Sequence, residues 1–391
     1  MSLIPTFNPP TRILMGPGPS GAHPRVLKAM TAPILGHLDP EFLKIMDECN
    51  DMLREVMGTS NRITLATPGT GTSGMEAAVM NLVQPGEKVV IGICGYFGER
   101  IAVMAERAGG IVTRVQAPWG SPTDLAGVEA AVKAAGNVKL IGIVHAETST
   151  GAQTPVEPFA KLAKDSGALL LVDCVTSLGG VPVTVDAWGA DAVYSGTQKC
   201  LSAPPGMAPL TMSPSAWDAV KAREVPCNSW YLDLSLLEAY WDERRAYHHT
   251  APISMVYALH EALALVLDEG IEARWARHEK NGRALQSGLE AMGLVLHADA
   301  GYRLPVLTTV RIPDGVNDGE VRGALLNRHG IEVGGGLGDL RGKVWRIGLM
   351  GESSNAGNVL LSLRSLGNIL REQGFKADVR GAVDAATAGL A

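Results

Sequence analysis

The stretch Leu169-Leu170-Leu171-Val172-Asp173-Cys174-Val175 runs an unbroken apolar segment straight into a carboxylate. A run without polar alternation reads as a strand covered on both faces, the pattern of a parallel sheet packed between helices. Ligands in such sheets lie beyond the carboxyl ends of the strands, so Asp173 stands where one would be met. A carboxylate there can pair with a protonated pyridine nitrogen. Capping the next turn is the plainer use of an Asp in that position.

Outward from this strand the chain alternates. β-rich runs at 88–93, 111–115, 138–144, 168–172 and 190–194 are separated by helical patterns near 97–108, 124–135 and 156–165. Upstream, Phe42, Ile45, Cys49, Met52, Leu53 and Val56 recur at helical spacing over 41–57. The alternation predicts an α/β fold with a mostly parallel sheet between helices. After Ser254 the texture changes to a long helical stretch, 255–292, broken at Gly270. A strand (306–311), a helix (319–327), a strand (343–349) and a helix (358–373) follow, the order of a smaller α+β domain. The expected organisation is an extended arm over 1–20, a large domain over 21–254, a small domain over 255–376 and a flexible, frayed tail over 377–391. A length of 391 residues fits about two domains.

Two further stretches carry chemistry. Ser195-Gly196-Thr197-Gln198-Lys199-Cys200 follows a predicted strand and precedes the loop Ala203-Pro204-Pro205-Gly206. A lysine that forms a Schiff base needs a neutral amine, obtained by desolvation or a neighbouring cation; a solvated surface lysine is the alternative. Pro68-Gly69-Thr70-Gly71-Thr72-Ser73-Gly74 is a Gly-rich turn opening a helix. Its free amides and hydroxyls suit an anion such as a phosphate. It has neither the Walker lysine nor the dinucleotide-binding glycine spacing.

Composition narrows the classes. A net charge of −6 and a pI near 5.9 disfavour nucleic acid as partner. The five cysteines are scattered, with no C-x-x-C pair, which fits a reduced, cytoplasmic setting. There is no basic-then-apolar leader at the N-terminus and no apolar run of the roughly 18–20 residues that span a bilayer. The nine histidines and five cysteines show no metal-ligand spacing, so no metal is expected.

Together these stretches resemble the class V, fold-type I aminotransferases, and within them the alanine–glyoxylate and serine–glyoxylate enzymes. The resemblance also runs through Met15-Gly16-Pro17-Gly18-Pro19-Ser20, Gly95-Tyr96-Phe97-Gly98, His145-Ala146-Glu147-Thr148-Ser149-Thr150-Gly151, Tyr247-His248-His249-Thr250, Gly334-Gly335-Gly336-Leu337-Gly338 and Lys343-Val344-Trp345-Arg346-Ile347-Gly348. It covers the chain from about residue 11 to 373. It implies pyridoxal 5'-phosphate as cofactor, bound to Lys199 as a Schiff base, with Lys199 also shuttling the proton. Asp173 would pair with the pyridinium nitrogen, Val175 would pack beneath the ring, and Phe97, where many relatives carry Trp, would stack on its other face. Ser149 would lie near the ring hydroxyl and the substrate, while Thr70, Gly71, Thr72 and Gln198 would hold the phosphate. Tyr247 and Thr250 would reach the phosphate of a partner subunit in a homodimer with shared sites. Arg346 would clamp the substrate carboxylate, with Gly18 beside the substrate.

The resemblance further implies transfer from alanine or serine to glyoxylate. A glutamine near Gly36-His37-Leu38-Asp39 marks relatives that act on ureidoglycine, and His37 stands in that region here. Ureidoglycine–glyoxylate transamination is one alternative. A lyase such as a cysteine desulfurase, with Cys227 as nucleophile, is another, and a regulatory module without turnover a third. Trp230 and Tyr231 read as core, Tyr257 as packing, and His248 and His249 as interface polar residues.

Overall fold

A computed structural model describes residues 7–391; the first six residues of the expected arm lie outside the described residues. The central sheet has seven strands: β1 (Ile63–Gly69), β2 (Lys88–Ile93), β3 (Ile111–Gln116), β4 (Leu140–Val144), β5 (Leu169–Asp173), β6 (Ala192–Tyr194) and β7 (Gly206–Met212). Their order is β1-β7-β6-β5-β4-β2-β3. Only β7 runs antiparallel to its neighbours. β4 is buried throughout and β5 nearly so, as their unbroken apolar character requires. The register sets Val144 beside Asp173 and Asp173 beside Tyr194, so these strands end level. The loops leaving those ends carry the residues of the site.

Two strands were not read from the sequence. β1 runs into the Gly-rich turn, and β7 carries Pro209, a residue that argues against a central strand because it has no N–H to donate. The fold accommodates it: β7 pairs with β6 only over Leu210–Met212, so Pro209 lies just outside that ladder.

The helix Pro40–Met57 starts where the Asp39 side chain accepts from the Glu41 N–H at 2.9 Å and stops at Gly58, whose φ is 59°. Its buried Phe42, Met46 and Leu53 share a core with Leu259, Leu263 and Val266 of the helix Ile253–Glu269. That helix therefore belongs with the large sheet, although the change of sequence texture at Ser254 had set it apart. We propose on this packing that the chain divides near Gly270, which separates it from the helix Ile271–Ala291.

The second core joins Met15, Leu285, Leu289, Trp345, Leu363 and Leu366. Over it lies an antiparallel sheet of β8 (Leu307–Arg311), β9 (Gly334–Gly335) and β10 (Val344–Gly348), in the order β8-β10-β9. Ile13–Leu14 of the arm pairs with Ile331–Glu332.

The tail corrects the expectation of fraying. Val379–Leu390 is a helix with Ala382 and Ala386 fully buried. Its small residues, which read as unstructured, are what allow a close approach: a Cβ at Gly288 would stand 3.0 Å from the Ala382 carbonyl. Trp230 and Tyr231 are exposed at 62% and 46%, not core, whereas Tyr257 is buried and donates from its hydroxyl to Pro33 O at 3.1 Å.

The Asp378 side chain caps the last helix by accepting from the Gly381 N–H at 2.9 Å. Asp378→Ala is expected to cost about 1 kcal/mol, measured as a lower urea midpoint with an unchanged slope.

Candidate active site

Beyond the carboxyl ends of β4, β5 and β6 lies a cavity of about 190 Å³. Gly71, Thr72, Phe97, Asp173, Val175, Gln198 and Lys199 all line it, so the structure brings together seven residues singled out from the sequence. Thr148, Thr176 and Arg100 complete much of the wall.

Asp173 ends β5 with its carboxylate buried. One oxygen accepts from the Val175 N–H and the other from the Tyr194 hydroxyl, each at 2.8 Å. Burial pushes its carboxyl up to about 6 despite those two bonds. Among the described residues it has no ion-pair partner within salt-bridge distance, so a cation in the cavity would find a receptive anion.

Lys199 keeps some accessible surface, all on a segment that lines the cavity, and its amine donates to the Pro17 carbonyl. Burial, reinforced by the positive charge of Arg346, pulls the ammonium down to about 8. Gly18 is needed at φ 112° because any Cβ there would collide with the Lys199 amine. Ser20 secures the lysine's backbone, its N–H donating to Gln198 O at 2.8 Å and its hydroxyl to Lys199 O at 2.6 Å.

The phosphate-type turn sits at the start of the helix Gly71–Leu82, after Thr70. Its first amides have no intrahelical acceptor. Gly71 is required by close approach, since a Cβ would come within 2.7 Å of Val175. Gln198 points a buried side-chain oxygen with no protein partner among the described residues.

Arg346, on β10, is buried. Its Nε–H donates to Gly335 O at 2.8 Å and Nη1 to Thr148 O at 3.3 Å, leaving the rest of the guanidinium unengaged. Burial pulls the guanidinium down to about 10, so it stays cationic at neutral pH. Ser149 lies behind the cavity wall, accepting from the Tyr96 N–H at 2.9 Å and donating to Glu147 at 2.6 Å.

Tyr247 and Thr250 are exposed and not on their own chain's cavity; the Tyr247 ring sits 5.3 Å from His37 instead. Cys227 is likewise off the cavity, and burial raises its thiol. Two residues near the site were not given roles from the sequence. Glu147 is a fully buried carboxylate held by the Phe97, Gly98 and Ser149 amides and the Ser149 hydroxyl. Arg100 follows Phe97 by three residues, the helical spacing that shares a face, and that spacing was the available signal. Among the described residues no group of three or more metal-ligating side chains is gathered, and no helix is long and apolar enough to cross a membrane.

The model of the family described as aminotransferase class-V matches residues 24–339. The chain belongs to the class V aminotransferases. A solved alanine–glyoxylate aminotransferase from Nostoc sp. is 49% identical, with a TM-score of 0.93, over 95% of this chain and 98% of that one. A solved ureidoglycine–glyoxylate aminotransferase from Bacillus subtilis is 41% identical, with a TM-score of 0.96, over 98% and 99%. The alanine–glyoxylate aminotransferase of Callithrix jacchus is 38% identical over 374 residues, 95% of this chain and 90% of that protein. This aminotransferase thus shares its fold and most of its length with glyoxylate-using relatives.

The lowered proton affinity of Lys199 has a direct readout. Its neutral fraction grows as pH rises through about 8, against the ordinary 10.5. Slow acylation of the protein, followed at residue 199 by mass spectrometry, is expected to show a midpoint near 8. In Arg346→Gln the midpoint moves to higher pH, because a neighbouring cation that opposed protonation is gone.

Proposed function

We propose that this aminotransferase moves the amino group of a small amino acid, alanine or serine, to glyoxylate, using pyridoxal 5'-phosphate held at Lys199. The observation that carries this is the Lys199 amine itself, partly neutral near pH 8, facing the same cavity as the buried, unpaired Asp173 carboxylate. The residues present fit the cofactor: a carboxylate without a cation for the ring nitrogen, an apolar pair in Val175 and Phe97, and the start of the helix Gly71–Leu82 for the phosphate. When bound, the cofactor supplies an aldehyde that amines can capture and a ring that withdraws electrons from the amino acid's α-carbon.

The protein's own groups supply the remainder. Lys199 Nζ, as a free amine, takes the α-proton of the bound amino acid and delivers it to the carbon that was the cofactor's aldehyde, acting as base and then acid. Asp173 keeps a proton on the ring nitrogen by stabilising its positive charge. Arg346 receives the substrate carboxylate on its unengaged N–H groups as a fork. A cavity of about 190 Å³, largely filled by a cofactor ring, leaves room for a small substrate.

The reading includes a homodimer with shared sites. Tyr247 and Thr250 are exposed on the surface with His37 alongside, a placement that suits delivery of all three to a partner's cavity. His37 then bears on donor choice, and the absence of glutamine there favours alanine or serine. The likeness to the Bacillus subtilis enzyme keeps ureidoglycine as the second reading. The lyase reading draws no support from its own chain's cavity, which Cys227 does not line.

Three measurements check this. Lys199→Ala is expected to lose the borohydride-trappable link to the cofactor; a trapped adduct in that variant at another residue sinks the assignment. Mixing the loaded wild type with single amino acids is expected to convert the cofactor to its amine form fastest with alanine or serine, and a clear preference for ureidoglycine overturns the donor choice. Arg346→Lys is expected to raise KM for the amino acid roughly tenfold or more, because an ammonium cannot reproduce the fork.

A further inference from the structure

Lys199, on the cavity lining, and Arg346, which reaches that lining at Thr148 O, have roles in the proposed reaction; Arg100, also on the lining, has none. Arg100 lies on the helix Tyr96–Arg107, one turn after Phe97, and lines the cavity. Its guanidinium carbon sits 4.8 Å from the Phe97 ring centroid and 5.2 Å from that of Tyr96. Contact with two aromatic rings attracts the cation and restrains it. One edge nitrogen donates to the Thr72 hydroxyl at 3.1 Å.

The carboxylates nearest along this helix are already engaged: Arg114 holds Glu99 at 2.9 Å and Glu106 at 2.6 Å. Among the described residues Arg100 makes no ion pair. Its charge is therefore directed at Thr72, in the first turn of the helix Gly71–Leu82, whose N-cap Thr70 makes no side-chain cap bond. Two donor sets, a cation and a helix start, converge on one place.

We propose that Arg100 supplies the positive charge of the phosphate end of the cavity, holding the Thr72 hydroxyl there and neutralising the phosphoryl group of the bound cofactor. This rests on the reading that the cavity takes pyridoxal phosphate. The guanidinium acts on the phosphate and not on the ring or the substrate carboxylate, which Arg346 serves from β10.

The test separates phosphate from ring. Cofactor-free protein is titrated with pyridoxal phosphate and, separately, with pyridoxal, and binding is read from tryptophan fluorescence. Arg100→Gln is expected to weaken pyridoxal phosphate roughly tenfold, the size of one partly exposed charge-assisted hydrogen bond, and to leave pyridoxal unchanged. The salt dependence of phosphate binding flattens with it. Arg100→Lys recovers part of the loss, since the charge remains without the fork. Equal losses for both ligands would show a role in packing alone and overturn the proposal, as would a wild-type affinity for both in Arg100→Gln. A wild-type chain that takes up neither ligand refutes the cofactor reading, and this inference with it.

Discussion

An amine is a nucleophile only after it has lost its proton, and in water a lysine gives that proton up near 10.5. The fold lowers this cost at Lys199 by two means, withdrawal from water and the nearby charge of Arg346. Neither works unless the amine stays in place. Backbone on both sides of Lys199 is therefore held from elsewhere: Ser20 takes the Gln198 and Lys199 carbonyls, and Arg274 donates to Cys200 O at 2.7 Å. Arg274 is itself buried, with Gly179 O and Glu269 as further partners. A short polar loop beyond the end of a strand is thus tied at three successive carbonyls.

The same anchoring joins the two cores. Arg346 belongs to the small sheet, and β10 continues into a turn at Gly351 whose N–H donates to His278 Nε2 at 2.8 Å. Burial pulls His278 down to about 3, so it is neutral and can accept that bond while its other nitrogen faces the Arg274 carbonyl. Arg277, from the same helix, donates to Gly351 O at 3.0 Å and Ser354 O at 2.6 Å. One helix, Ile271–Ala291, thus grips both the lysine loop and the turn beyond the arginine strand. Hydrogen bonds from this helix therefore bear on the spacing between the two cations.

How much of this was legible depends on whether a feature is local. The strand–helix alternation is written in residue periodicity, and Asp173 and Lys199 stand at strand ends where periodicity stops, so both could be found. Pro209 hid β7, because a residue without an N–H argues against a central strand unless the pairing beside it is known. Periodicity could not tell which core Ile253–Glu269 joins, because it is helical in pattern in either case. The last helix was missed for the opposite reason: Ala382 and Ala386 carry little hydrophobic signal, and their value lies in how close they let the helix at Gly288 come. Glu147 could be quoted as part of a motif, but its four donors come from two separate segments and only folding brings them together.

Glu147 also explains how Arg346 can be buried and still unengaged. A lone buried guanidinium is costly, and the usual remedy is a carboxylate in direct contact. Here the carboxylate is present, and its charge raises the proton affinity of Arg346. Its oxygens, however, are occupied by the Phe97, Gly98 and Ser149 amides and the Ser149 hydroxyl. The anion is thereby satisfied by dipoles, including the start of the helix Tyr96–Arg107, and Arg346 feels its field without being captured by it. Had the two formed a direct pair, an incoming carboxylate would have had to break it. Separating charge compensation from hydrogen bonding leaves the guanidinium both tolerable in the interior and open to a substrate.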